Sequence, residues 1–272
     1  MQQRHVNRMQ YFNEQSESTR KYILPYIRQG TEHTISISKG CRVLEVGCGE
    51  GGNLVPFLEA GCECWGVELS EWNYSNAVSF YAENPLKSHL HLVQKNIYDV
   101  TPDELGGVFD IVFLRDVIEH IPCQEQFMKH LKRFMSPTCI AFFAFPPWRM
   151  PFGGHQQVCR NKWISRMPYI HVFPKPMYKI ILKIFGLSDK EINGFLNIAE
   201  TGISIRRFEK IIRRENYQVI RKTNWLFNPN YEIKFGLKPR SLPFIFRIPH
   251  VQDFYTTAMY YLLNTEKQEN IE

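Results

Sequence analysis

The 272-residue sequence has no apolar run approaching the ~20 residues that cross a bilayer, and its opening stretch MQQRHVNRMQYFNEQSES contains no apolar leader. That excludes a membrane-spanning segment and leaves the cytoplasm as the expected compartment. Compact Lys/Arg runs are also missing, although 33 basic residues outnumber 27 acidic ones. Arg206, Arg207, Lys210, Arg213 and Arg214 have the helical spacing of a solvated face, so no nucleic-acid partner is expected. The seven cysteines show no repeated metal-ligand spacing. They read as free thiols, with no metal expected. Internal repeats and low-complexity tracts are absent, and only the last few residues look frayed.

What is present is an alternation of strands and helices. Residues 18–29 carry helical apolar spacing that Pro25 would kink or split into two turns, and read as a cover helix region. Residues 41–46 (CRVLEV) form a short apolar strand running into GCGEGG, followed by a helix closed at Gly61. Residues 62–67 form a second strand and 71–84 a helix. Strands follow at 89–95 and 109–115, then a helix carrying Phe127, Leu131 and Phe134 on one side, then a strand at 139–146. This order implies an α/β fold with a doubly wound, mostly parallel sheet.

After Pro146 the composition turns to Pro, Gly and aromatics, and residues 147–200 read as a lid over the strand ends. Residues 203–216 resume a helix, and strands at 217–225 and 254–264 bring the count to seven. Four segments result: cover helices (1–40), core (41–146), lid (147–200), and a last helix with two strands completing the same domain (201–272).

Ligands of such sheets bind beyond the carboxyl ends of the strands. Gly47 and Gly49 allow a sharp turn and close backbone approach, while Gly51 or Gly52 lets the next helix pack near the strand. Glu68 ends the second strand, where an acid accepts hydrogen bonds from ribose hydroxyls. Gly47, Gly49 and Gly52 also satisfy G-x-G-x-x-G, so a nicotinamide-dependent oxidoreductase stays open at this point. Glu45 immediately before the turn argues against it, because a carboxylate repels pyrophosphate and attracts a cationic sulfonium or amino group.

VLEVGCGEGG, GVELS, QKNIYD and FLRDVIEHI, taken in order, resemble the class I S-adenosylmethionine-dependent methyltransferases of small-molecule type, over residues 41–146. The resemblance implies a Rossmann-like methyltransferase fold with a lid insertion after the fifth strand. It also implies S-adenosylmethionine as cofactor and S-adenosylhomocysteine as product. Glu45, Gly47, Cys48 and Gly49 would then surround the methionine portion, Glu68 and Leu69 the ribose, and Asn96 and Ile97 the adenine. The Arg115 backbone would lie near the methionine amino group. Asn96 stands where the family commonly has Asp.

The expected reaction is methyl transfer to a small-molecule acceptor, with O-methylation of a metabolite, glycan or lipid precursor as its form. A noncatalytic cofactor-binding partner of the same fold is the other reading. His120 and His155 are the candidate catalytic residues, since an imidazole is suited to removing an acceptor proton. Gly153 and Gly154 give His155 a mobile approach. Trp148, Phe152, Trp163 and Tyr169 either line an aromatic chamber or pack the lid. Residues 175–185 combine Lys175, Lys179 and Lys183 with apolar neighbours, which suits either a buried lid helix or weak peripheral contact with a membrane surface.

Overall fold

A computed structural model describes residues 7–31 and 35–265; the expected fraying of the last residues lies outside them. Eight strands form one sheet: β1 (Arg42–Val46), β2 (Glu63–Glu68), β3 (Leu90–Gln94), β4 (Phe109–Arg115), β5 (Met135–Phe145), β6 (Tyr217–Phe227), β7 (Arg240–Ser241) and β8 (Ala258–Thr265). Their order is β3-β2-β1-β4-β5-β8-β6-β7. β1 to β5 pair in parallel, and β8 runs antiparallel to both β5 and β6. The eighth strand beyond the expected seven is the two-residue β7 at the edge.

Strand periodicity divides the core into two layers. Val112 and Leu114 of β4, with Phe143 and Phe145 of β5, pack on one face with Phe127, Leu131 and Phe134 and with Phe208, Ile211 and Ile212. Ile111 and Phe113, with Ile140 and Phe142, pack on the other with Ile23, Ile27, Leu54 and Phe57. Central strands buried on both faces must be apolar throughout, which is why FDIVFLR carries no clean alternation.

Helices α1 (Arg8–Ser18) and α2 (Leu24–Thr31) are joined without a break by one wide π turn, Thr19–Ile23. Of the kink or split expected at Pro25, the split does not occur: α2 runs through Pro25, and the irregularity is the π turn just before it. Widening the preceding turn relieves the clash of the proline ring with the carbonyl four residues back. Helices α3 (Val55–Glu59), α4 (Glu71–Phe80) and α5 (Gln124–Leu131) follow the glycine turn, β2 and β4, and α8 (Ile205–Arg214) precedes β6.

Residues 147–200, expected as a lid, contain α6 (Lys175–Ile184) and α7 (Asp189–Thr201) and carry a small core of their own around Tyr178, Leu182, Ile192 and Phe195. Between β6 and β8 lie the short helices α9 (Asn230–Phe235) and α10 (Gln252–Tyr255). The strand expected from residue 254 therefore begins at Ala258. Asp253 is buried in α10, and the Thr257 amide donates to the Trp225 carbonyl at 2.7 Å where the sheet begins. No helix of the described residues is long and apolar enough to cross a membrane.

Candidate active site

The strand order reverses between β1 and β4, and there, at the carboxyl ends of β1, β2 and β4, lies a cavity of about 570 Å³. Its walls come from separate strand ends and loops: Gly47 and Gly49 after β1, Glu68 at the end of β2 and Leu69 after it, Asn96 and Ile97 after β3, and Arg115 at the end of β4 with His120 beyond it. The fold thus brings together most of the residues expected from sequence. Cys48 and Glu45 are not on the wall; they lie buried just beneath the turn.

The turn requires its glycines. Gly47, Gly49 and Gly51 have φ of 68°, 57° and 79°, and a Cβ on Gly47 would stand 2.8 Å from the Val117 side chain. Gly49 has open space on its cavity side, with nothing within 4 Å of a built Cβ. Gly52 serves a different contact from the expected strand-helix one. Its Cβ would meet the Phe12 carbonyl oxygen at 2.4 Å, so its smallness admits α1.

Glu68 stitches two turns together, accepting from the Gly49 amide at 2.8 Å and the Ser70 amide at 2.7 Å. Each oxygen keeps a second lone pair, so ribose hydroxyls remain within its capacity. Asn96 accepts from the Tyr98 amide at 3.2 Å through its side-chain oxygen, which leaves its amide NH₂ as a donor. Leu69 is 68% exposed, the open rim of the cavity.

Beneath the turn runs a polar network that sequence reading missed. Asn53 donates to Glu45 at 2.6 Å and accepts from Arg115 at 2.9 Å and from Thr19 at 2.9 Å, and Arg115 also donates to Ser18 at 3.2 Å. The Arg115 guanidinium is therefore turned into this network. Burial pushes the Glu45 carboxyl up to about 8, against the lowering effects of Asn53 and Arg115. Its second oxygen is buried without a hydrogen-bond partner. An orphaned acceptor of this kind, below a glycine turn, fits a group that brings a cation and donors.

The helix α1 is the other omission, because its polar sequence has little amphipathic signal. Arg8, Tyr11 and Gln15 line the cavity, and Arg8 pairs with the fully buried Glu50. Asp116, also on the wall, sits at a φ of 56°, a strained conformation for a residue with a side chain.

His120 and His155 meet edge to face, with ring centroids 5.0 Å apart. Burial lowers the pKa of His120, and burial followed by the neighbouring His120 pulls His155 down to about 4. Both imidazoles are thus neutral near pH 7, able to accept a proton. Only His120 is on the cavity wall. Gly153 and Gly154 are packing positions rather than a flexible approach. A Cβ on either would meet the Trp148 carbonyl oxygen at 2.1 Å or the His171 Cβ at 2.4 Å. His171 in turn holds the Trp148 carbonyl at 2.6 Å. Of the four aromatics, Trp148 packs on His171, Tyr169 on Phe254, and Trp163 is 72% exposed; none, Phe152 included, lines the cavity.

Residues 8–188 match the family model described as a methyltransferase domain. The chain is 33% identical over 140 residues to the ubiquinone biosynthesis O-methyltransferase of Rhodopseudomonas palustris (strain TIE-1), covering 49% of this chain and 52% of that protein. It thus spans about half the length of that relative. A namesake from Rickettsia canadensis (strain McKiel) is 24% identical over 222 residues, 79% of this chain and 80% of that one. Among solved structures, PKMT2 from Rickettsia typhi in complex with AdoHcy aligns with a TM-score of 0.55 at 17% identity, covering 89% of this chain and 53% of that one. The glycopeptide N-methyltransferase MtfA complexed with sinefungin aligns with a TM-score of 0.53 at 13% identity, over 93% and 87%. At such identities these two likenesses speak for the fold. With the family model, the relatives and the glycine-turn cavity in agreement, the chain belongs to the methyltransferase-domain family, in the class I S-adenosylmethionine-dependent group.

Proposed function

We propose that the protein transfers the methyl group of S-adenosylmethionine to an oxygen of a small-molecule acceptor. The observation that carries this reading is the single cavity into which the loops after β1, β2, β3 and β4 all deliver residues. Gly47, Gly49 and Arg115 would hold the methionine end, with Glu45 and Cys48 supporting them from beneath. Glu68 and Leu69 would hold the ribose, and Asn96 and Ile97 the adenine. The cofactor supplies an electrophilic methyl group on a sulfonium, and the displacement that consumes it needs alignment and exclusion of water more than acid-base help.

This chain's own residues provide those conditions. Tyr11 and Gln15 of α1 form the wall facing the glycine turn and cover the site. His120, neutral and on the wall, accepts a hydroxyl proton from the acceptor, and Asp116 beside it favours the resulting imidazolium. His155 supports His120 from the lid rather than touching the acceptor.

In this reading residues 41–146 are the cofactor core, 147–200 the lid and 201–272 its completion, with 1–40 as cover. The protein works in the cytoplasm, where its seven free cysteines stay reduced. Met177, Ile180 and Ile184 on the outer side of α6 offer weak contact with a membrane surface. Calorimetry with S-adenosylmethionine and S-adenosylhomocysteine tests the reading directly. Micromolar binding of both is expected, followed by labelled-methyl transfer to a hydroxylated acceptor in a metabolite screen. A folded sample that binds neither would overturn it.

A further inference from the structure

Glu119, His120 and His155 bring one ligand atom each to within 4.8 Å of one another. Two elements deliver them: the turn Ile118–His120 behind β4, and the lid, where His155 precedes the turn Gln156–Val158. Nothing in the cofactor reading uses Glu119, and nothing around it satisfies it. Its side chain is 5% exposed, and neither carboxylate oxygen has a hydrogen-bond partner. A buried carboxylate left so is costly, and a bound cation would offset that cost. The facing group is His120, whose Nε2 stands 4.0 Å from Glu119 Oε1. His155 is held at a φ of 57° while Gly154 behind it packs against His171.

We propose that Glu119, His120 and His155 form a site for a divalent transition-metal ion at the edge of the cofactor cavity. One carboxylate and two imidazoles are a donor set taken by Zn²⁺, Fe²⁺ and Co²⁺, and three protein ligands leave open positions on the ion. Bonds of about 2.1 Å to a tetrahedral ion set donor atoms ~3.4 Å apart, so the widest-spaced groups close by about an ångström on binding. His120, the most exposed of the three, supplies the movement.

The role of the ion rests on the methyl-transfer reading. Because His120 lies on the cavity wall, an ion bound to it reaches an acceptor oxygen inside. A hydroxyl on such an ion ionises nearer neutral pH and releases its proton to water. The oxygen then forms its bond to the methyl carbon as the sulfur–methyl bond breaks, and the sulfur leaves as a neutral thioether. His120 as a metal ligand replaces His120 as a free base in this account. Sequence spacing does not announce the site, because His155 arrives from beyond β5.

The test uses the full chain, freed of metal by chelation, titrated with Co²⁺ and followed by visible absorption, with Zn²⁺ as competitor. One Co²⁺ per chain is expected, with the absorption of a four- or five-coordinate ion. Affinity should fall at least 100-fold in His155→Ala and in Glu119→Gln, the second nearly isosteric. Calorimetric binding of S-adenosylhomocysteine by both variants checks that they are folded. Absence of stoichiometric Co²⁺ binding by the wild type, or equal binding by either folded variant, would overturn the proposal. Should the wild type bind Co²⁺ as expected but no S-adenosylhomocysteine, with melting curves then serving as the fold check, the metal site stands and the methyl-transfer reading falls.

Discussion

Glu45 carries the clearest pH dependence of any residue at the site. A carboxyl whose pKa rises from 4.5 to about 8 on folding holds its proton more tightly in the fold than in the unfolded chain. Its contribution to stability is complete below about pH 4.5 and is lost as pH rises through about 8. Glu45→Gln, which keeps the bond with Asn53, should therefore flatten the fall in melting temperature between pH 5 and pH 8. A wild-type slope retained in the variant, measured by melts of the ligand-free protein, would assign the pH dependence elsewhere. At this scale the sequence was informative wherever backbone geometry decides. Gly47 and Gly49 are recognisable because few other residues tolerate their φ, and Glu68 because it ends a strand one turn away. Asn53 was illegible as part of a polar cluster because Thr19 and Arg115 lie on other elements, and Glu119 because His155 reaches it from beyond β5.

Among the elements, α1 has the least sequence signal and one of the larger structural roles. Its residues Arg8, Tyr11 and Gln15 wall the cavity, while its Phe12 packs edge to face on Phe80 and Tyr81 of the α4 region. The anchor is the ion pair between Arg8 and Glu50, whose acid is fully buried. Removing one partner of such a pair leaves an uncompensated charge, at a cost of ~3 kcal/mol. Arg8→Ala should lower the melting temperature accordingly and weaken S-adenosylhomocysteine binding more than tenfold, as read by calorimetry. Unchanged binding would mean that α1 does not help to form the site. Strands were far more legible than α1, because β1, β4 and β5 are apolar on both faces and each is bounded by a turn. The strand expected from residue 254 failed at its start, since Phe254 and Tyr255 continue an apolar pattern while the backbone makes one more helical turn.

For the molecule as a whole, alternation of strands and helices was enough to predict a parallel sheet, yet the order of its antiparallel half was not readable. β8 lies between β5 and β6, a pairing decided by burial of Met259, Tyr261 and Leu263 on one face and Tyr260 and Leu262 on the other. A chain ending before Ala258 would leave β5 and β6 each with an unpaired edge and these side chains' partners uncovered. Such a truncation should be insoluble or lack cooperative melting; a soluble, cooperatively unfolding product would show that β8 is dispensable.

The place of β8 also has a consequence for how the protein is made. During synthesis β1 to β5 emerge in the order that lets them pair, but β6 and β7, which pair with each other, then leave the ribosome before the strand that joins them to β5. They must wait, exposed, until β8 clears the exit tunnel and slips between them and β5. The sheet is therefore closed only after β8 has been translated, and the interval before closure is when a holding chaperone has most to protect.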